Sequence, residues 1–185
     1  MKSRADQLLV ELGLFESRAR AQAAIAAGLV SADGAVVRKA AEMVARKAAI
    51  LAQAPHPYVS RGGLKLKAAL DAFGIDPAGR LCLDVGASTG GFTDVLLGCG
   101  ATQVAAVDVG RDQLHASLRG DQRVLSFEAQ DIRTLPPEAL PGRPSFACVD
   151  VSFISLRLVL PAVATLLTPQ AALVALVKPQ FEAIS

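Results

Sequence analysis

The stretch of this 185-residue chain that is richest in chemical potential is Leu81-Cys82-Leu83-Asp84-Val85 followed by Gly86-Ala87-Ser88-Thr89-Gly90-Gly91. An apolar strand that runs into small residues and then opens a helix lets backbone approach a ligand closely and aims the helix N-terminus at it. Gly86, Gly90 and Gly91 do not reproduce the dinucleotide spacing G-x-G-x-x-G, and no G-x-x-x-x-G-K-S/T triphosphate loop occurs. A plain strand-turn-helix connection explains one glycine; it explains three plus Asp84 poorly. The next apolar run ends in Asp108, where an acidic residue can take two ribose hydroxyls. Asp131, after Glu128-Ala129-Gln130, can sit beside a base. Singly, each acid reads as a surface charge; their order along the chain is what carries weight.

Those positions require a scaffold. Helical periodicity over 64–73, 91–97 and 156–167 alternates with strand signals at 81–85, 104–107, 124–127, 146–150 and 171–177, and Pro161 breaks the last helix early. Alternation of this kind predicts an α/β unit, a parallel sheet with helices on both faces that binds ligands at its strand C-termini. Ahead of it lies a different pattern. Ser3 can cap a helix over 4–12 that Gly13 stops, and Ser17 can cap one over 18–27 that Gly28 stops. Strands at 29–31 and 35–37 flank Asp33-Gly34, a tight-hairpin pair. The following Ala-rich segment reads as helix at Ala41-Glu42-Met43-Val44. Ala54-Pro55-His56-Pro57 punctuates the chain, which gives an α+β unit at 1–55, a linker at 56–60 and the α/β unit at 61–185.

Composition narrows the function classes. With 52% hydrophobic and 19% charged residues the chain has ample core material and is not a disordered one. Arg157 and Pro161 interrupt the apolar stretch 149–167, so no run approaches the roughly 20 residues of a membrane-spanning helix. Asp6 and Glu11 spoil any signal peptide over the first residues, and the expected location is the cytoplasm. Cys82, Cys99 and Cys148 lack CxxC spacing and read as small buried apolar residues, with no metal site. Residues 1–67 hold 11 Lys/Arg against 5 acids, whereas the remaining 118 hold 8 against 12. A basic first third on a mildly acidic remainder suggests that the first unit faces a polyanion.

The runs Arg4-Ala5-Asp6, Gly13-Leu14-Phe15, Ser17-Arg18-Ala19-Arg20-Ala21 and Ala27-Gly28-Leu29-Val30 with Asp33-Gly34 resemble the RNA-binding module first known from ribosomal small-subunit protein four. The resemblance implies a basic face for structured RNA. Its candidates are Arg4, Arg18, Arg20, Arg38 and Lys39, with Arg61 at the start of the second unit. Ribosomal RNA or ribosomal subunits are the implied partners.

The second unit resembles the S-adenosylmethionine-dependent methyltransferases. That likeness implies a cofactor loop at Asp84, Gly86, Ala87, Ser88, Thr89, Gly90 and Gly91, Asp108 as the ribose acid and Asp131 as the adenine-side acid. Tyr58-Val59-Ser60-Arg61-Gly62-Gly63-Leu64-Lys65-Leu66, Val149-Asp150-Val151-Ser152-Phe153-Ile154-Ser155 and Leu176-Val177-Lys178-Pro179-Gln180-Phe181-Glu182 further resemble the TlyA, or hemolysin A, family. That family joins the RNA-binding module to an FtsJ-like ribose 2′-O-methyltransferase with a Lys-Asp-Lys-Glu tetrad. Lys65, Asp150 and Lys178 match its first three members. The implied function is methylation of ribosomal RNA on a ribose hydroxyl, a poor nucleophile until its proton is taken. Lys178 is the candidate base; Lys65 would be a neighbouring cation and Asp150 the orienting carboxylate.

The tetrad's Glu and the last two of seven strands have no counterpart before Ser185, and Glu182 follows Lys178 too closely to replace the Glu. The sequence therefore reads as a shortened member of the family, and weak or absent turnover is the expectation. An uncovered apolar sheet edge would offer a route to oligomers. A non-catalytic RNA-binding protein with a remnant methyltransferase unit is the alternative reading. Membrane damage, suggested by the hemolysin label, is disfavoured by the lack of spanning or strongly amphipathic segments.

Overall fold

The computed structural model describes residues 2–54 and 56–183. Pro55, the last residue of the expected first unit, and the Ile184-Ser185 ending lie outside the described residues. The chain divides into two compact units, Met1–Pro57 and Tyr58–Ser185.

The first unit contains β1 (Lys2–Arg4), α1 (Ala5–Glu11), α2 (Arg18–Ala26), β2 (Val30–Ala32), β3 (Ala35–Val36), β4 (Met43–Ala45) and β5 (Ile50–Ala52). Ser17 caps α2 as its position suggests, its Oγ accepting from the Arg20 N–H at 3.3 Å. The cap expected at Ser3 is not made: Ser3 lies in β1 and its hydroxyl accepts from Arg46 Nε at 3.1 Å. The first N–H groups of α1 instead find the carbonyls of Glu42 and Ala40, at 2.8 and 3.1 Å. That demand draws the 40–45 segment alongside β1, so the helix read at 41–44 gives way to β4, antiparallel to β1 with Ser3 opposite Val44. Val44 turns into the core while Met43 faces water, the period-two pattern of a strand. Asp33 and Gly34 take φ of 50° and 80°, joining β2 to β3 through the tight turn their sequence predicts. β2 also pairs with β5, and Leu8, Leu9, Ala21, Ala24, Ile25, Val30 and Val37 fill the core.

The second unit runs α3 (Gly62–Phe73), β6 (Leu81–Val85), α4 (Gly91–Gly98), β7 (Gln103–Val107), α5 (Ala116–Arg119), β8 (Val124–Phe127), β9 (Phe146–Val149), α6 (Leu156–Leu166), β10 (Ala172–Ala175) and α7 (Pro179–Glu182). Its five strands are all parallel in the order β10-β9-β6-β7-β8. This is the doubly wound arrangement whose direction reverses between β6 and β9, and a crevice opens at the strand C-termini at such a reversal. Alternate residues of each strand feed opposite layers. Cys82, Val104, Phe146 and Cys148 pack under α3 and α4; Leu83, Val85, Val107 and Val149 pack under α6. Tyr58 and Val59 pack against the first of these layers, and the Val59 N–H donates to Asp94 Oδ2 at 2.8 Å.

Pro161 does not break α6, contrary to its reading in the sequence: the helix continues to Leu166. Pro161 sits on the exposed side of α6, where water can satisfy the carbonyl that loses its N–H partner. No helix among the described residues is long and apolar enough to cross a membrane.

Candidate active site

The loop after β6 is shaped by contacts on three sides. Gly86 has φ +82°, and a Cβ there would stand 2.3 Å from the backbone oxygen of Asp150, so the chain after β9 passes directly over it. Gly90 and Gly91 serve packing: a Cβ on Gly90 would lie 2.3 Å from Leu118 Cδ1, and one on Gly91 would lie 2.1 Å from Ser60 Oγ. Of the loop residues the sequence nominates, Gly86 and Ser88 line a cavity of about 570 Å³. Ala87, Thr89, Gly90 and Gly91 do not line it; they hold the turn that presents the other two.

The same cavity is walled by Val107 at the end of β7 with Asp108 and Val109 after it, Gln130 to Arg133 after β8, and Asp150 to Ile154 after β9. Asp108 is fixed by two backbone donors, Ser88 N–H to Oδ2 and Gly110 N–H to Oδ1, both at 2.7 Å. Each oxygen keeps a lone pair for a further hydroxyl. Asp131 also reaches the cavity, but Arg133 grips it through Nε and Nη2 at 2.6–3.0 Å. Those hydrogen bonds hold the Asp131 carboxyl below the usual carboxylate range. A ligand amino group at this wall would share Asp131 with Arg133, a residue the sequence reading overlooks although it stands two positions away.

Asp150 and Lys178 meet at the ends of β9 and β10. Lys178 Nζ lies 2.6 Å from Asp150 Oδ1, an ion-pair distance at angles outside hydrogen-bond geometry, and donates to Ser152 Oγ at 2.8 Å. Lys65 is not joined to them: it is exposed on α3, and no hydrogen bond or ion pair among the described residues links it to either. Two further contacts tie the same two segments. Glu182 accepts from Ser155 Oγ at 2.7 Å and from the Leu156 N–H at 2.8 Å, capping α6. Phe153, 90% exposed and at φ 63°, leans on Phe181 with ring centroids 5.2 Å apart. A positive φ on a bulky residue at a cavity wall is strain of the kind that gathers at functional sites. Ser152, Phe153 and Glu182 all lie inside segments that the motifs mark, but sequence spacing alone assigns them no partners.

Asp84 is placed differently from the loop role suggested for it. Its side chain is fully buried beneath α4, where it accepts from Thr93 Oγ1 at 2.7 Å, and it does not line the cavity. Burial pushes its carboxyl up to about 6, against the Thr93 hydrogen bond that pulls the other way. In the unfolded chain the group ionises near 3.8, so below that pH both states are protonated and folding carries no penalty. As pH rises from there to about 6 the unfolded chain ionises while the buried carboxyl keeps its proton, and the accumulated cost reaches about 3 kcal/mol and then levels off. Wild-type protein should therefore lose about that much unfolding free energy between pH 4 and 7 relative to Asp84→Asn. Urea unfolding of both proteins at each end of this range measures it; parallel pH curves would show that Asp84 does not titrate there.

In the first unit, Arg4 and Arg18 both bind Asp6, while Arg38 and Lys39 donate backbone N–H groups to Glu42 Oε2 at 2.9 and 3.3 Å. The Arg38 and Lys39 side chains stay exposed. Arg20 opens α2 beside Arg18, and Arg61 precedes α3 in the second unit.

A doubly wound sheet with carboxylates after β7 and β9 flanking the reversal point, the second paired with a lysine after β10, is a layout suited to a nucleoside cofactor. The chain belongs to the FtsJ-like methyltransferase family, whose model matches residues 58–185, and an S4 domain model matches residues 3–50. The chain is 49% identical over 183 residues to the 16S/23S rRNA (cytidine-2′-O)-methyltransferase TlyA of Mycobacterium tuberculosis, covering 98% of this chain and 68% of that protein. It is 48% identical over 184 residues to YqxC of Bacillus subtilis, which carries an rRNA methyltransferase name, covering 98% and 66%. A solved structure from Streptococcus thermophilus that carries a hemolysin name superposes with a TM-score of 0.71 at 47% identity, covering 98% of this chain and 68% of that one. The chain thus spans about two thirds of the length of these relatives.

Proposed function

We propose that this chain binds S-adenosylmethionine in the cavity of its second unit and methylates a ribose 2′-hydroxyl of ribosomal RNA, with a cytidine as the acceptor nucleotide and the first unit supplying RNA affinity. The observation that carries the reading is the pairing of two features on opposite walls of one cavity. On one side Asp108 is held rigid by the Ser88 and Gly110 N–H groups; on the other Asp150 and Ser152 line the cavity and both contact Lys178, which stands just behind them.

The donor set fits the cofactor. Asp108 offers two acceptors to a ribose diol, Val109 and Ile132 offer apolar walls to a purine ring, and Asp131 offers an acceptor at its edge. The cavity volume falls within the range typical of small-molecule sites. When bound, the cofactor supplies a methyl group on a positively charged sulfur. The protein's own part is to orient the acceptor hydroxyl and to receive its proton. Asp150 Oδ1 and Lys178 Nζ, 2.6 Å apart, act on that proton as a single unit. Ser152 holds Lys178 from the other side, and the Glu182 cap on α6 keeps the two segments in register. Lys65 enters this reading only as a group that approaches when RNA binds. A ribosomal RNA substrate places the work of the protein in the cytoplasm.

Calorimetric titration of S-adenosylmethionine into the chain, with Asp108→Ala as control, tests the reading. Binding that vanishes in the control is expected. Asp84→Ala is a poor control, since removing a buried carboxylate disturbs the floor beneath α4 whether or not a ligand binds. No heat at millimolar cofactor would overturn the methyltransferase reading and leave an RNA-binding protein with a remnant second unit.

A further inference from the structure

Asp6 is a charged group that the proposed chemistry leaves unused. Its side chain is 0% exposed, yet its cover is made largely of side chains that themselves reach water. Arg4 donates Nε to Oδ1 at 3.0 Å and Nη2 to Oδ2 at 3.1 Å. Arg18 donates Nε and Nη2 to Oδ2 at 3.2 and 2.7 Å, and Gln22 Nε2 reaches the same oxygen at 2.8 Å. Joining α1 to α2 needs one such partner. Here two guanidiniums converge on one carboxylate while their side chains stay 40% and 51% exposed. Each spends its Nε–Nη2 edge on Asp6, and neither Nη1 takes part in that network. A guanidinium is a rigid planar fork, so fixing one edge fixes the direction of the remaining donors.

We infer that Asp6 is a positioning residue which draws Arg4 and Arg18 together and sets their outer donors as a two-guanidinium cradle for one backbone phosphate of RNA. The inference rests on the RNA-binding part of the proposed function and adds to it the group that organises the face. Without the carboxylate the two cations repel each other, and each flexible side chain must be ordered at the moment of binding. With it, the pair keeps a net positive charge and meets phosphate in a preset geometry.

The test separates position from charge. Fluorescence anisotropy with a labelled RNA hairpin is measured for the whole chain, for Asp6→Asn, and for Arg4→Lys with Arg18→Lys, over a series of KCl concentrations. Asp6→Asn keeps the shape and raises the formal net charge of +2 by one, so charge alone predicts tighter binding. Positioning predicts binding weaker by about five- to tenfold, with the slope of log affinity against log salt reduced by about one phosphate contact. The lysine pair conserves charge but lacks the fork, so positioning predicts a similar loss and charge alone predicts none. If circular dichroism shows that Asp6→Asn has lost its fold, the lysine pair decides the matter by itself. Unchanged or tighter binding in a folded variant overturns the inference while the RNA-binding reading stands. A wild-type chain that fails to retain the hairpin at low salt overturns both.

Discussion

Replacing Lys178 by Met is expected to slow methyl transfer to ribosomal RNA by about a hundredfold to ten-thousandfold, the span that loss of a positioned proton acceptor commonly produces. Affinity for S-adenosylmethionine should stay within about threefold, because Lys178 does not line the cavity and touches it only through Asp150 and Ser152. Single-turnover transfer of a tritiated methyl group reads the rate even where turnover is weak, and calorimetry reads the affinity. Asp150→Asn should show the same split, since the carboxylate and the amine sit 2.6 Å apart and act together. Rates that add independently in the double variant would show that the two groups do not form a unit. A Lys178→Met protein that transfers methyl at the wild-type rate would remove Lys178 from the reaction and return attention to Lys65.

Much of this site is legible in the sequence because a parallel sheet makes few demands beyond runs of apolar residues. The run 81–85 coincides with β6 and the run 124–127 with β8, and the acids that close the β7 and β9 runs stand at the cavity wall. What stays hidden depends on partners distant in the chain. The 40–45 segment reads as helix from its alanines, yet it becomes a strand because α1 and β1, some 40 residues earlier, need its backbone groups. Propensity is a weak prior where a neighbour offers a ladder. Asp84 is a subtler case. Strand alternation places it on the face of Cys82, under α4, while Leu83 and Val85 point the other way, so the period of two already carries its burial. The glycine-rich loop invites a reading in which every member meets the ligand. The structure divides the labour between Gly86 and Ser88 at the cavity and Gly90 and Gly91 in helix packing.

That division makes Gly86→Ala the substitution with the most damage per added atom. Alanine at φ +82° pays about 1 to 2 kcal/mol for the left-handed backbone wherever it occurs. At Gly86 the new Cβ must also enter the space of the Asp150 carbonyl oxygen, 2.3 Å away. That carbonyl belongs to a segment already pinned, with the Asp150 N–H on the Val85 oxygen at 2.9 Å and the Asp150 side chain against Lys178. Neither neighbour is the free end of a flexible side chain, so relief requires the β6 loop and the β9 loop to separate. Gly74 supplies the comparison, with φ +62° and nothing within 4 Å of its would-be Cβ. Gly74→Ala should cost only the backbone strain, about 1 kcal/mol, and leave cofactor affinity alone. Gly86→Ala should cost at least about 3 kcal/mol of unfolding free energy in the second unit, or an equivalent hundredfold loss of S-adenosylmethionine affinity. Urea unfolding and calorimetry on the two variants give both numbers. Equal effects at the two glycines would mean that the loops after β6 and β9 part freely, and the seat of Asp150 at the cavity would then have to be explained by the ties between the segments after β9 and β10.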